Sequence, residues 1–420
     1  MGDDMSKRII LSNLLILASL VLLVVIYFAP IWWVALTAPN YPPESFPDGV
    51  RIHFHMNGVF NGCKPVAKSE IEEAEPLDCV HEMDTINHYV GMYPIAAGGV
   101  IEKAFSPFLL SLLGVMLIGF ACTKPKLRVI LMSVGFAVIA IWMYLYWYGE
   151  DGLKLQPAGY IEALVMSLDQ DTERGEEQGH GSAVLEQLKK ELPVDAVSVE
   201  ELKDSEDELT QKLAQLGGSL ATEEGLGVEV EKGEKALLDP KSANIELLRT
   251  TFLVDQSRKP EDAREEWTGS GAQVLRWHYE KSLGRYFNDP AQIKPMVKAM
   301  TTAAHIVFWA ILAAMVLLVW GARRTGGLIY WLLILVPMLL PVFFVIEYSA
   351  WLWWYGHNLN AMGAFTVKPF MPTVFGQGKV AQFTTHSYPY WGFGLMLLMS
   401  ALLAVAALLR RKEFKEKGSE

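Results

Sequence analysis

This chain has little of what most soluble enzymes display. Its 420 residues include only three cysteines, with no CxxCH for heme attachment. It also lacks a Walker motif and a GxGxxG between a strand and a helix, so covalent heme, P-loop chemistry and a dinucleotide fold have no sequence support. Basic surface is scarce as well. The net charge is −11, and residues 169 to 266 hold 26 Asp or Glu against 12 Lys or Arg, which leaves the rest of the chain near neutral at +3. Nucleic acid rewards basic surface and is excluded as a partner; an acidic lobe suits a cation or a basic protein.

What is abundant is apolar sequence. Hydrophobic residues make up 51% of the chain, with 13 Trp, and runs near bilayer length occur at about 9 to 36, 105 to 122, 129 to 148, 302 to 321, 327 to 348 and 391 to 409. Six spans are expected. The first run follows Lys7 and Arg8 as a signal peptide would, but it is too long and lacks a small-x-small cleavage site, so it reads as a retained anchor.

Lys and Arg flank alternate ends of these runs: Lys7 and Arg8; Lys124, Lys126 and Arg128; Arg323 and Arg324; Arg410, Arg411 and Lys412. By the positive-inside rule those ends, and both termini, are cytoplasmic, and the large loops lie outside an inner membrane. Aromatic residues cluster at the opposite ends (Trp32, Trp33; Tyr144 to Tyr148; Trp351 to Tyr355; Tyr388 to Trp391), as an interfacial belt in contact with membrane lipid would.

The expected organisation is therefore an all-α polytopic membrane protein. Residues 1–36 form an anchor, 37–104 an outer loop, 105–148 a transmembrane hairpin, 149–301 an acidic helical insertion, 302–348 a second hairpin, 349–390 an outer Pro- and aromatic-rich loop, and 391–420 the last span and basic tail. The outer loops together are expected to make a small α/β cap. Met143 to Gly149, MYLYWYG, recurs as Trp351 to Gly356, WLWWYG, so the two hairpins read as parallel repeats. Within the insertion, leucines from Leu185 to Leu216 fall at helical spacings. Further helices are expected over 243–256 and 271–287. His180 reads as solvated and His278 as packing. In the third outer segment, VKPF and VAQFTTHSY read as strands, and loops so rich in Pro and aromatics are expected to order on the first outer loop.

The one chemical clue is a concentration of soft-metal ligands in the first outer loop: His53, His55, Met56, Cys63, Cys79, His81, Met83, His88 and Met92. Imidazole, thiolate and thioether suit copper better than magnesium, calcium or manganese. In RIHFHM the alternation puts His53 and His55 on one face of a strand, and in CVHEM it aligns Cys79, His81 and Met83. Paired, the two strands would offer four ligands; unpaired, they are a short ribbon exposing His and Met to water. Cys63 and Cys79 read equally as a disulfide in an oxidising compartment or as thiolate ligands. Asp84 or Thr85 is a plausible cap for a helix carrying His88 and Met92 on one face. His88 bonding backbone and Met92 filling core is the bland alternative.

His357 and His386, in the third outer segment, could complete such a site, against an interfacial role for His357 and a structural hydrogen bond for His386. Among ionisable residues in the spans, His305 and Glu347 lie near outer ends and could line a quinone pocket. No chain of such groups crosses the bilayer, and the broken-helix and charged signatures of a transporter are missing.

Taken together, APNYPPESFPDGV, INHYVGMYPI, YGHNL, VKPFMP and VAQFTTHSYP resemble the NosB-type polytopic membrane proteins of nitrous-oxide reductase gene clusters. The matching residues are Asn87, His88, Tyr89, Gly91 and Met92; Tyr355, Gly356, His357 and Asn358; and Pro369, Phe370, Pro372, Phe383, Thr384, Ser387 and Pro389. The likeness covers the membrane body and outer loops one and three, but not the acidic insertion. His53, His55, Met56, Cys63, Cys79, His81 and Met83 correspond to nothing in that pattern, and His386 stands where it has an aromatic.

The resemblance implies an accessory role in nitrous-oxide respiration, more a maturation factor than an enzyme. Joined to the ligands, it points to outer-face copper handling for a secreted or periplasmic copper protein, with His88 and Met92 as main ligands, His81, Met83 and His357 as secondary ones, and the acidic lobe as a dock. A quinol-linked electron-transfer subunit and a metal-free anchor for a secreted partner are the alternatives.

Overall fold

The computed structural model describes residues 2–64, 78–93, 95–175, 240–284, 287, 289–364, 369–380 and 382–417. In chain order the elements are α1 (Gly2–Phe28), β1 (Trp32–Thr37), β2 (Val50–His55), β3 (Gly58–Asn61), α2 (Cys79–Val90), α3 (Ile95–Ala121), α4 (Pro125–Tyr148) and α5 (Ala158–Gly175). Then follow α6 (Pro240–Ser257), α7 (Gly271–Gly284), α8 (Pro290–Gly321), α9 (Leu328–Met338), α10 (Leu340–His357), β4 (Gly376–Val380), β5 (Phe383–Pro389) and α11 (Trp391–Lys417).

Five of these helices contain stretches long and apolar enough to cross a membrane: Lys7–Phe28, Lys103–Ala121, Pro125–Tyr148, Pro290–Gly321 and Trp391–Phe414. The sixth expected span is broken. α9 and α10 meet at 65°, because Pro337 and Pro341 bracket Leu339 and remove backbone donors there. The carbonyl of Met338, left at the break, accepts the hydroxyl of Ser400 on α11 at 2.7 Å. The two aromatic motifs thus close different elements, MYLYWYG a continuous helix and WLWWYG the second limb of a bent pair.

The first span stops at Phe28 rather than near 36. Pro30 and the β-prone WWVALT turn the chain into β1, the central strand of a five-stranded antiparallel sheet of order β3-β2-β1-β5-β4. Trp32 is consequently no belt residue. It is 4% exposed, and its indole N–H donates to Ser387 Oγ on β5 at 2.9 Å. The long strand expected over VAQFTTHSY is in fact the end of β4 and β5 up to its penultimate residue. VKPF forms no described strand: its residues 367 and 368 lie outside the described residues, and Pro369 and Phe370 are irregular.

α1 and α11 run antiparallel side by side, with Ser12 Oγ donating to Ala406 O and Arg8 paired to Glu416. Both chain ends therefore lie at one end of the bundle and the sheet at the other. Arg128 and Arg410, at the basic end, do not face water; they are 0% and 2% exposed.

The flanks of the acidic segment dock on the helix bundle. α6 and α7 bear out the expected helices over 243–256 and 271–287, the latter as far as Gly284; residues 285 and 286 lie outside the described residues. Phe252 packs edge-on to Trp267 and Trp277. Gly271 lies against the Tyr146 ring so closely that a Cβ would stand 2.5 Å from Cζ. His278 is buried, its Nδ1 accepting from or donating to Ser282 Oγ at 3.2 Å. His180 and the leucines from Leu185 to Leu216 lie outside the described residues.

Candidate functional site

The sheet and α2 form a small head at the end of the bundle. Its inner face is apolar: Trp32, Val34, Leu36, Val50 and Ile52 pack with Cys79, Met83 and Ile86 of α2 and with Tyr348. Cys79, Met83 and Ile86 are four and three residues apart, one helical face. This overturns the strand expected over CVHEM. Asp78 caps the helix, its Oδ1 accepting from Val80 N at 3.0 Å and His81 N at 3.2 Å, so the helix begins well before Asp84 or Thr85. His81 and Met83, two apart on a helix, point to opposite sides, and no four-ligand pairing of RIHFHM with CVHEM exists.

The two sulfurs are likewise not ligands here. Cys63 and Cys79 form a disulfide, which leaves Cys122 as the free cysteine. The His88/Met92 pair is separated too. α2 ends at Val90 and Gly91 takes a left-handed φ of 98°, so Met92 falls beyond the helix, buried in the main core at 5% exposure. The His88 ring lies 4.8 Å from that of Phe287.

The expected ordering of the third outer segment on the first loop does hold. Asn360 N donates to Gly91 O at 2.8 Å and Ala364 N to Tyr89 O at 2.9 Å. A Cβ on Gly363 would come within 2.3 Å of Gly91 Cα. His357 nevertheless stays in its own helix end, bonded through Nδ1 to Trp353 O at 2.8 Å and stacked on the Trp353 ring. His305 engages α4, between Trp147 Nε1 at 3.1 Å and the Tyr148 hydroxyl at 2.9 Å.

What the structure does bring together lies on the other face of the sheet. β2 holds RIHFH as expected, with His53 and His55 on one side. Across the ladder His53 pairs with Phe60 on β3 and Trp33 on β1, and Trp33 with Tyr388 on β5. The Arg51 guanidinium sits 4.2 Å over the Trp33 ring and 5.5 Å from that of Tyr390, and Tyr390 stacks on His53 at 5.2 Å. His386, on the same face, bonds Gln377 Nε2 through Nδ1 at 3.2 Å. Met56 follows His55 directly and is half-buried against the main core.

Both imidazoles are shifted toward the neutral form. Burial, then the Arg51 charge, then His55 push His53 down to about 4; burial lowers His55 against the opposing pull of its bond to Phe28 O. His55 Nδ1–H donates to that carbonyl at 3.0 Å, which leaves Nε2 as the lone-pair nitrogen. His53 Nε2 is buried with no hydrogen-bond partner among the described residues. Trp33 and Tyr390 were invisible as site residues in the sequence, because only the β1–β2 and β1–β5 pairings bring them to the histidines, whereas Arg51 shares their strand face by the same local alternation.

The depressed values carry a stability consequence in metal-free protein. Between the unfolded value of 6.5 and the folded value near 4 for His53, the unfolded chain binds more protons, so the head loses stability as pH falls through that window. Melting temperature against pH should drop more steeply below 6.5 for the wild type than for His53→Gln; superimposable profiles would contradict it.

Three or more His, Cys, Asp or Glu side chains converge nowhere among the described residues. No protein-family model, curated protein or solved structure matches the chain. Fold and composition define its class: a mostly helical protein with several apolar helices able to span a membrane, carrying a small antiparallel sheet at one end, as in multi-pass membrane proteins.

Proposed function

We propose that this is an inner-membrane accessory protein of nitrous-oxide respiration that handles Cu(I) on its outer, sheet-bearing face, for assembly or maintenance of a secreted copper reductase. The respiratory assignment rests on the resemblance of INHYVGMYP, YGHNL and FTTHSYP to NosB-type proteins. The basic residues at the opposite end of the bundle support a cytoplasmic position for both termini. Shared outer-end sequences support reading α3–α4 and α8–α10 as two copies of one hairpin.

The observation that carries the copper reading is the pair His53 and His55 on one strand face, with His53 Nε2 buried and unbonded. A buried imidazole nitrogen without a partner costs free energy unless something binds it. The bond from His55 to the Phe28 carbonyl is the outer contact that fixes a ligating tautomer. Two imidazoles on one strand face, with the Met56 thioether next in sequence, would offer a soft donor set that favours Cu(I) over hard cations. The weight accordingly moves from His88, Met92, His81, Met83 and His357 to His53, His55 and Met56. The aromatic and guanidinium surface around them would meet the partner, and bound copper would supply a transferable soft cation.

Competition of the purified protein against a chromophoric Cu(I) chelator tests this. One tight Cu(I) per chain is expected, weakened by tenfold or more in the His53→Ala, His55→Ala double variant, of the order seen when metal-site contacts are lost, and unchanged in His88→Ala, Met92→Ala. A wild type that fails to compete for Cu(I) overturns the reading.

A further inference from the structure

The end of the bundle opposite the sheet holds a second built site. Arg128 at the start of α4 spends its guanidinium on carbonyls alone: Nε donates to Cys122 O at 3.1 Å, Nη1 to Ala322 O at 3.1 Å and Nη2 to Thr123 O at 3.4 Å. It lies 4.4 Å over the Tyr330 ring. Arg410, near the end of α11, binds Glu413 Oε2 at 3.2 Å, Asn13 Oδ1 at 3.2 Å and Ala121 O at 3.1 Å. Its Nε is buried without an acceptor among the described residues.

Both arginines line one cavity of about 430 Å³, together with Thr123, Thr325, Tyr330 and Glu413. Among the described residues lining it, two buried guanidiniums thus face one buried carboxylate, an excess of one positive charge. An unpaired charge taken out of water is costly, which favours a counter-ion. Exposed Thr123 and Thr325 mark the mouth, and the exposed cations Lys124, Lys126, Arg323 and Arg324 adjoin it. The missing component is an anion with several acceptor oxygens, which a guanidinium fork matches in geometry as well as charge. Basic pockets between helix ends take lipid phosphates for this reason.

We propose that this cavity binds a phosphate group, supplied either by an anionic lipid headgroup or by free phosphate, through Arg128 and Arg410, with Thr123 and Thr325 at its entrance. The bound anion would tie α3, α4, α8 and α11 together at the end remote from the sheet. The site is independent of the copper reading, since it shares no residue with the head.

Calorimetric titration of the full chain in a neutral maltoside tests it, with inorganic phosphate and short-chain phosphatidylglycerol as separate probes at matched ionic strength. Saturation at one site per chain by inorganic phosphate identifies a free-phosphate site; saturation by phosphatidylglycerol alone identifies a headgroup site. Either is expected to weaken at least tenfold in Arg128→Gln and in Thr325→Glu, the latter adding a carboxylate at the exposed mouth while sparing the buried set. Failure of both probes to saturate, or wild-type binding by Thr325→Glu, overturns the proposal.

Discussion

Replacing Trp32 with Ala is expected to loosen the whole head. The side chain is 4% exposed on the central strand, with Tyr348 and Phe393 rings at 5.6 Å and Phe344 at 6.0 Å. Truncating a buried Trp costs about 3–5 kcal/mol, and here it also strips a donor from Ser387, which is fully buried. Ser387 keeps the Tyr348 hydroxyl at 3.2 Å and Val374 O at 2.8 Å, so Trp32→Phe should cost less, about 1 kcal/mol for the lost bond plus a smaller cavity term. Local opening is best read by amide hydrogen exchange on β1 and β5. Protection there should fall more than a hundredfold in the Ala variant, given that 1.4 kcal/mol is about tenfold. A fall of less than tenfold would mean that the sheet does not depend on this cluster.

Reducing the Cys63–Cys79 bond should have the next largest effect. It closes a separation of 16 residues, worth roughly 3 kcal/mol in the chain-entropy model, and its Cys79 end is fully buried between α2 and the sheet. Cys79→Ala is expected to lower the melting temperature of the head, and non-reducing mass mapping of the wild type should return a 63–79 cross-link with Cys122 free. Cu(I) stoichiometry should not change on reduction, because the donors argued for are nitrogens and a thioether. A rise of one copper per chain on reduction would return the cysteines to the ligand set.

The divide between what could be read and what could not follows the range of the interactions. β2 was legible because alternation in RIHFHM is local, as were α6 and α7 from their apolar periodicity. CVHEM was misread because a five-residue stretch satisfies both a two-residue and a 3.6-residue period; the cap at Asp78 and burial of Cys79, Met83 and Ile86 against the sheet decide for the helix. WWVALT was taken for the end of a span because apolarity alone does not distinguish a helix in lipid from a strand buried by its neighbours. Arg128 and Arg410 read only as basic flanks of the spans, yet they turn inward to carbonyls contributed by other helix ends.

The sequence by itself determined that the chain carries bilayer-length apolar helices, basic at one end and aromatic at the other, since hydropathy and charge act residue by residue along a single helix. Only the tertiary structure decided which histidines stand together. β1 must pair with β2 on one side and β5 on the other before His53 and His55 meet Trp33, Tyr390 and the Phe28 carbonyl, and those pairings join residues up to 357 apart, as Trp32 with Pro389. Non-local pairing is chosen by burying Trp32 and its neighbours on the inner face, a collective gain that no local pattern records.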